Sequence, residues 1–480
     1  MSLQEALKEN SDLKQENAYL KFELDRMKKL IFGSKKERFT TEENPLQLSL
    51  FSNGESAEVE LPAIEKQRIS YERKTPKPHP GRNEIPDHLP VQEVIIEPEE
   101  DTTDLVKIGE ERTETLEYTP ASLVKKITIR PKYAKKDGEG VIIGRLPSRP
   151  IEKGIAEASL LAHIIVSKMV DHLPFYRQIE IFKRDFQWEV NSSTINDWFV
   201  SCCTLIKPLY QMLEQQVLKS GYIQADESPI RVLDKDKEGS SHQGYMWVCH
   251  SPERKTVLFK YSKGRGDNLV KDLLHGFDGI VQCDGYAAYD KLPIVNPKIK
   301  LAGCLAHVRR KFYEAQTNDK QRSEDALTKI QNIYALERKA KDMDYKQRKQ
   351  YRIEQVKPIL EDLKTFAEKT ALEVTPKSQI GKAVGYLLNQ MQKMMTIIEH
   401  GNVEMDNNLI ENKIRPLALG RKNYMFAGSH DGAERMAIMY SFMATCKANG
   451  INPYEWLKKT LESLPYTKIS DLEKNLPGKM

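Results

Sequence analysis

The sequence predicts a multidomain α/β protein, and three observations carry that expectation. At 480 residues the chain exceeds one ordinary domain of roughly 100–200 residues. Residues 221–304 carry short apolar, β-branched runs bounded by turn residues, the pattern of strands. The stretches on either side repeat apolar residues every three to four positions, the pattern of helices. Hydrophobic residues make up 39% and charged residues 30%, which excludes collagen-like, wholly disordered and disulfide-framework classes. No run approaches the roughly 18–20 uncharged apolar residues of a membrane span. The start, MSLQEALKEN, has no apolar core behind a basic leader. The expectation is a soluble cytoplasmic protein with no membrane partner.

Residues 1–32 read as a leucine-zipper-like coiled coil. One seam is Leu3, Asn10, Asn17, Leu24 and Ile31, and the other is Ala6, Leu13, Leu20 and Met27. At about 1.5 Å per residue the helix would be about 45 Å long. Asn10 and Asn17 at seam positions cost stability but fix register, which favours a homodimer through residues 1–32. A lone amphipathic helix docked on its own chain is the alternative. Gly33 and Ser34 end the helix, and residues 33–74 form a basic and polar linker.

Charge is blocked along this half of the chain. Residues 26–38 hold six basic side chains and one acid, Glu37. Residues 93–104 reverse the sign with Glu93, Glu97, Glu99, Glu100, Asp101 and Asp104. Such blocks suit a polyanion binder, and they also suit solvated linkers. The net charge of +5 does not separate the two.

Residues 75–150 read as a small β-rich module. Pro76, Pro78, Pro80, Pro86 and Pro90 exclude helix at its start. Strand-like runs follow at 91–96, 124–130 and 141–143, with Gly138, Gly140 and Gly144 as turn residues. Residues 151–215 turn helical. Leu160, Leu161, Ile164, Ile165 and Met169 share one face, Pro174 opens a second helix, and Ser192 to Thr194 cap a third before Ile195 and Trp198. Two or three short helices ending near Trp198 fit a helix-turn-helix-like DNA-binding region. They fit a plain helical packing domain equally well.

Residues 216–464 read as a single core with strands at 222–225, 230–233, 245–249, 256–261, 280–283 and 299–302, and a short helix at 267–274. A helical insertion occupies about 313–400. Its stripes are Leu327, Ile330, Ile333, Tyr334, then Ile353, Val356, Leu360, Leu363, then Leu387, Leu388, Met391, Met394, Met395. These read as core, not as a site. Residues 465–480 are a C-terminal tail. The six cysteines form no CxxC pair, and none precedes Cys202, so zinc and a disulfide frame are not expected.

Three carboxylates stand out. Asp226 and Asp284 each end an apolar strand run, in Gln-Ala-Asp-Glu-Ser-Pro and Val-Gln-Cys-Asp-Gly-Tyr. A carboxylate emerging from a buried strand is costly unless something neutralises it. A divalent cation does so, and Mg²⁺ takes one or two carboxylates while keeping water and substrate oxygens. Two such ions about 3.5–4 Å apart can clamp both oxygens of a phosphodiester displacement. Glu411 follows the helix start at Asp406, Asn407 and Asn408. Two strand-end aspartates and a distant helical glutamate fit a ribonuclease-H-like catalytic core.

Longer motifs sharpen this. Segments 224–229, 281–289, 303–312 (Gly-Cys-Leu-Ala-His-Val-Arg-Arg-Lys-Phe) and 406–429 resemble the insertion sequence 66 family of DDE transposases. Segments 31–39 (Ile-Phe-Gly-Ser-Lys-Lys-Glu-Arg-Phe), 168–178 and 448–457 are similar to that family as well. The resemblance covers nearly the whole chain. It implies a catalytic and metal-binding triad of Asp226, Asp284 and Glu411, served by Mg²⁺ or Mn²⁺ with two ions expected. It implies cleavage and strand transfer of double-stranded DNA, at element ends and at a target. It also suggests small accessory proteins from the same element and a bacterial, nucleoid-associated location on DNA. One departure is clear: Lys135 and Gly138 stand where many relatives carry a cysteine pair, so zinc is not expected in the β-rich module.

His307, Arg309, Arg310 and Lys311 make a compact basic helix start, and Arg415, Arg421 and Lys422 follow Glu411. These seven are the candidate DNA-binding residues, as phosphate contacts. A solvated helix face is the bland alternative. Two rival readings stay open on sequence: an inactive or domesticated DNA-binding regulator, and a ribonuclease-H-like nuclease that does not transpose.

Overall fold

The computed structural model describes residues 122–129, 132–134, 141–143, 147–233 and 241–478. The expected coiled coil at 1–32, the linker at 33–74 and the strand run at 91–96 lie outside the described residues. Within the β-rich stretch, β1 (Lys132–Ala134) and β2 (Val141–Ile143) pair antiparallel. Residues 124–129 of the expected run at 124–130 do not form a strand. Residues 122–129 are exposed and have no regular secondary structure. An apolar run alone is not enough; a strand also needs a neighbour to complete its backbone hydrogen bonds.

Helix α1 (Ala158–Met169) buries Leu161, Ile164, Ile165 and Met169, one helical face. Helix α2 (Phe175–Phe186) begins after Pro174, whose φ of −60° leads into the helix. Helix α3 (Ser192–Leu218) does not stop near Trp198 but runs 27 residues. Its stripe Ile195, Phe199, Cys202, Ile206, Leu209, Leu213 and Val217 stays buried past Pro208. That packing offsets the cost of about 3 kcal/mol for a proline inside a helix.

The central sheet has five strands: β3 (Tyr222–Leu233), β4 (Ser241–Ser251), β5 (Thr256–Ser262), β6 (Gly279–Gln282) and β7 (Ile299–Ala302). Their order is β5-β4-β3-β6-β7. The first three form an antiparallel meander, and β6 and β7 run parallel to β3. Pro229 divides 222–225 from 230–233 in the sequence, yet the two are one strand. Its ladder to β4 is unbroken from Gln224 to Leu233.

Between β5 and β6 lies α4 (Asp267–Leu273), and between β6 and β7 lie α5 (Ala287–Asp290) and α6 (Leu292–Val295). The insertion comprises α7 (Leu305–Ala315), α8 (Lys320–Lys339), α9 (Tyr345–Tyr351), a π turn (Arg352–Val356), α10 (Lys357–Glu373) and α11 (Gln379–Glu399). Then follow α12 (Asn408–Tyr424), α13 (His430–Ala448) and α14 (Pro453–Ser463).

Three apolar clusters cover the sheet. Ile230, Val232, Met246, Val248, Val257 and Phe259 share one with α1, α2, α3, α12, α13 and α14. Ile223, Ala225, Trp247, Cys249 and Leu258 share the second with α4, α5 and α6. Tyr222, Ile280 and Ala302 join the third, which the insertion's stripes fill. Helix α13 also covers the edge strand. The amides of Val257 and Phe259 donate to Thr445 Oγ1 at 3.0 Å and Ser441 Oγ at 2.8 Å, matching the i,i+4 spacing of the helix to alternate strand residues. One stripe member departs: the π turn shifts the helical phase, so Arg352 is buried and Ile353 exposed.

Candidate active site

The parallel register of β3 and β6 brings the two aspartates together. Gln224 lies opposite Gln282, an offset of 58 residues, and the same offset carries Asp226 to Asp284 just beyond the last pair. Gly279 sets this register. Its φ is +143°, and a Cβ there would collide with the Gly221 carbonyl, the oxygen that accepts from Ile280 N–H at 3.0 Å.

Side chains alternate along β3, so Tyr222, Gln224 and Asp226 share a face. A buried polar network covers that face at the sheet centre. The Tyr222 hydroxyl donates to Gln282 Oε1 at 2.5 Å, and Gln224 Nε2 donates to the same oxygen at 3.0 Å. Gln282 Nε2 donates to the carbonyls of Gly303 and Glu404, both at 2.8 Å. Gln224 Nε2 also reaches the Asp406 carbonyl at 3.1 Å. The network thus pins residues 404–406, which lead into α12. The repeated Gln-x-Asp pattern at 224–226 and 282–284 was its only sequence signal.

A second anchor acts from the insertion. Arg352 has no solvent exposure and forks onto Glu337, with Nε to Oε1 at 2.8 Å and Nη2 to Oε2 at 2.7 Å. Its Nη1 donates to the carbonyls of Ile397, His400 and Val403. It therefore fixes the end of α11 and the chain that follows. Asn407, fully buried, starts α12 and donates to the Ala225 carbonyl at 3.4 Å. Glu411 then sits in the first helical turn, where the helix dipole favours an acid.

The three acids share one environment. Burial, followed by the charges of Glu227, Asp284 and Glu411, pushes the Asp226 carboxyl up to about 7, against a hydrogen bond from the Glu227 amide. That amide donates to Asp226 Oδ1 at 2.7 Å. Asp284 Oδ1 accepts the Tyr286 amide at 2.9 Å. The Tyr386 ring packs over Gly285, where an added Cβ would lie 2.6 Å from it. His307, on the first turn of α7, places Nε2 3.9 Å from Glu411 Oε1.

Of the other predicted residues, Arg309, Arg310, Lys311, Arg415 and Lys422 are exposed. Lys311 pairs with Glu314 at 3.9 Å. Arg421 is half-buried and donates to the Pro229 carbonyl. Sequence reasoning missed a cluster on the opposite face of β3. Glu227, with a side chain 3% exposed, pairs with Arg265 and accepts from the Tyr289 hydroxyl at 3.1 Å. Arg265 lies 3.8 Å over the Tyr286 ring. The signal available was the acidic doublet 226–227 and the two tyrosines after Asp284. Cysteine chemistry is disfavoured, because burial pushes the Cys304 and Cys249 thiols up to about 12.

The donor set fits a hard divalent cation. Asp226, its carboxyl pushed up by burial and by the charges of neighbouring acids, supplies oxygen ligands and an unmet need for positive charge. Asn407 Oδ1 and His307 Nδ1 are buried without a hydrogen-bond partner among the described residues. The fit is one of donor chemistry: no group of three or more His, Cys, Asp or Glu side chains among the described residues is placed to hold a metal ion together.

Comparison with known proteins gives the family. Residues 153–435 match the family described as Transposase IS66 family, and residues 441–477 match the IS66 C-terminal element. Residues 19–94, outside the fully described part, match the family described as Transposase C of IS166 homeodomain. The uncharacterized protein y4qI of Sinorhizobium fredii is 33% identical over 89% of this chain and 82% of its own length. The uncharacterized protein y4jD of the same organism is 31% identical over 97% of this chain and 94% of its own. No described helix is long and apolar enough to cross a membrane. The chain belongs to the IS66 family of transposases.

Proposed function

We propose that this chain is the DDE transposase of an insertion element, binding the element's terminal inverted repeats and carrying out metal-dependent cleavage and strand transfer. One observation carries the reading: Asp284 and Glu411, 58 and 185 residues further along the chain, lie close enough for their charges to push up the buried Asp226 carboxyl. The strand order β5-β4-β3-β6-β7, three antiparallel strands followed by two parallel ones, supports a ribonuclease-H-like core.

Asp226, Asp284 and Glu411 would hold Mg²⁺ or Mn²⁺. When bound, the metal supplies positive charge to the phosphodiester and lowers the pKa of an attacking water or 3′-hydroxyl. The chain's own residues do the rest. Asp226 and Asp284, presented by adjacent rigid strands, need little reorganisation. Glu411 is set by the glutamine network and by Arg352. His307 orients Glu411. Arg309, Arg310, Lys311, Arg415, Arg421 and Lys422 contact phosphates and position the duplex. The finer readings accompany this one: double-stranded ends and target as partners, a dimer through residues 1–32, two ions, accessory proteins of the element, and action in the cytoplasm on the nucleoid.

The test is a strand-transfer assay on a duplex of the repeat flanking the gene, with Mg²⁺ or EDTA. Joining should require metal and should vanish in Asp226→Ala, Asp284→Ala and Glu411→Ala, while band shifts of the repeat persist. Joining retained in any of these variants would sink the assignment.

A further inference from the structure

Helix α12 ends in a feature that the acid site does not use. Met425, just past its last turn, has φ +60° and ψ −43°. A non-glycine side chain is strained there. That side chain is nevertheless 66% exposed, and the next one, Phe426, is 39% exposed. Tyr176 of α2, 58% exposed, is tied to the last turn of α12 through Arg177. Arg177 Nε donates to the Tyr176 hydroxyl at 3.1 Å, and its Nη1 donates to Asn423 Oδ1 at 3.0 Å.

The tip is rigid on both sides. Met425 N–H closes α12 by donating to the Arg421 carbonyl at 2.9 Å. Ala427 bridges to Val232, with Ala427 N–H donating to the Arg231 carbonyl at 2.8 Å and Leu233 N–H returning to Ala427 at 2.9 Å. Strain that packing does not relieve, spent on exposing apolar side chains, points to a ligand.

The same helix shows what that ligand is. Glu411, Arg415 and Lys422 recur at 4- and 7-residue steps on one face of α12, and Met425 follows directly after the helix's last residue, Tyr424. Arg415 and Lys422 on that face are exposed and have no acidic partner among the described residues. From Glu411 to Met425 the helix rises about 21 Å, roughly six base-pair steps. A cationic track that starts at the acid site and ends in an apolar and aromatic point matches a nucleic-acid strand whose last base is unstacked.

We propose that Met425 and Phe426, with Tyr176, form a wedge that stacks against an unpaired base of the bound DNA, several base pairs from the cleavage site. This rests on the DNA-transposase reading above and adds the state of the DNA that is bound. The wedge selects duplex that opens at that step, because opening exposes a base face for the side chains to cover.

The experiment uses the full chain and two duplexes of the flanking repeat, identical except for one mismatched step. A 2-aminopurine at that step brightens when it is unstacked. Wild type should bind the mismatched duplex on the order of ten-fold more tightly and brighten the probe, given stacking worth about 1–3 kcal/mol per base. Met425→Gly relieves the backbone strain, so it should keep or raise thermal stability. Paired with Phe426→Ala, it should lose both the preference and the brightening while binding the perfect duplex as before. Arg415→Gln with Lys422→Gln should weaken both duplexes alike. Equal wild-type binding of the two duplexes, or a preference that survives in the Met425→Gly/Phe426→Ala variant, overturns the wedge alone. Failure of wild type to bind either duplex overturns the DNA reading with it.

Discussion

Asp226→Asn is the perturbation that most directly tests the crowded acid site. The substitution keeps the shape and keeps an oxygen to accept the Glu227 amide at 2.7 Å. It removes a carboxyl whose pKa stands at about 7 in the fold against an ordinary 3.8. A raised acid binds its proton more tightly in the native state. Between pH 4 and pH 7, roughly, the native chain therefore holds more protons than the unfolded chain, and stability falls as pH rises through that window. Above about pH 7 the penalty is complete. At 1.36 kcal/mol per pH unit, three units set a ceiling of roughly 4 kcal/mol. Partial solvation reduces this to about 2 kcal/mol.

The assay is urea unfolding of wild type and variant in EDTA at pH 5 and pH 8. The variant's advantage should grow by about 2 kcal/mol between the two pH values, because asparagine has no titration window. Mg²⁺ added at pH 8 should stabilise wild type and leave the variant nearly unchanged. An advantage that is the same at both pH values would refute the argument that burial and neighbouring acids oppose the Asp226 charge.

Three further outcomes follow from the same geometry. Arg352→Ala strands Glu337 and three carbonyls in the interior, and should cost about 3–5 kcal/mol in urea unfolding; a loss under about 1 kcal/mol would contradict its anchoring role. Gly279→Ala meets both a φ of +143° and the Gly221 carbonyl, so soluble yield and midpoint should fall, by about 2–4 kcal/mol or more. Gln282→Leu keeps the volume but orphans the Glu404 and Gly303 carbonyls, at about 1–3 kcal/mol each. Its strand transfer should drop while band shifts of the repeat persist, and an unchanged transfer rate would separate the glutamine network from Glu411.

Much of the site was legible because its chemistry is local. A carboxylate next to an apolar run is unusual in any sequence: Asp284 does follow the end of β6, whereas Asp226 lies inside β3, which runs on to Leu233 instead of ending there. Glu411 was legible from the helix start before it. The insertion's stripes were legible because helical periodicity marks buried faces, and Ile330, Leu363 and Met394 are all buried. The failures have physical causes too. The end of α3 was misplaced near Trp198; the helix runs on through Pro208 to Leu218, held by the buried stripe from Ile195 to Val217. Ile353 was read as core because a π turn changes the phase without marking the sequence.

By itself the sequence determined which residue types could carry the chemistry, and roughly which elements bear them, since periodicity and strand-end acids are properties of short segments. The tertiary structure alone decided what stands beside them. The partnership of Gln224 with Gln282, the reach of Arg352 to the chain before Asn407, and the burial of Glu227 against Arg265 join residues up to 60 positions apart. The anchoring of the Met425 tip joins Ala427 to Val232, 195 positions apart. In the sheet, partnership and burial depend on the register of strands distant in the chain, and a one-residue slip of β3 would turn Gln224 and Glu227 to the other face.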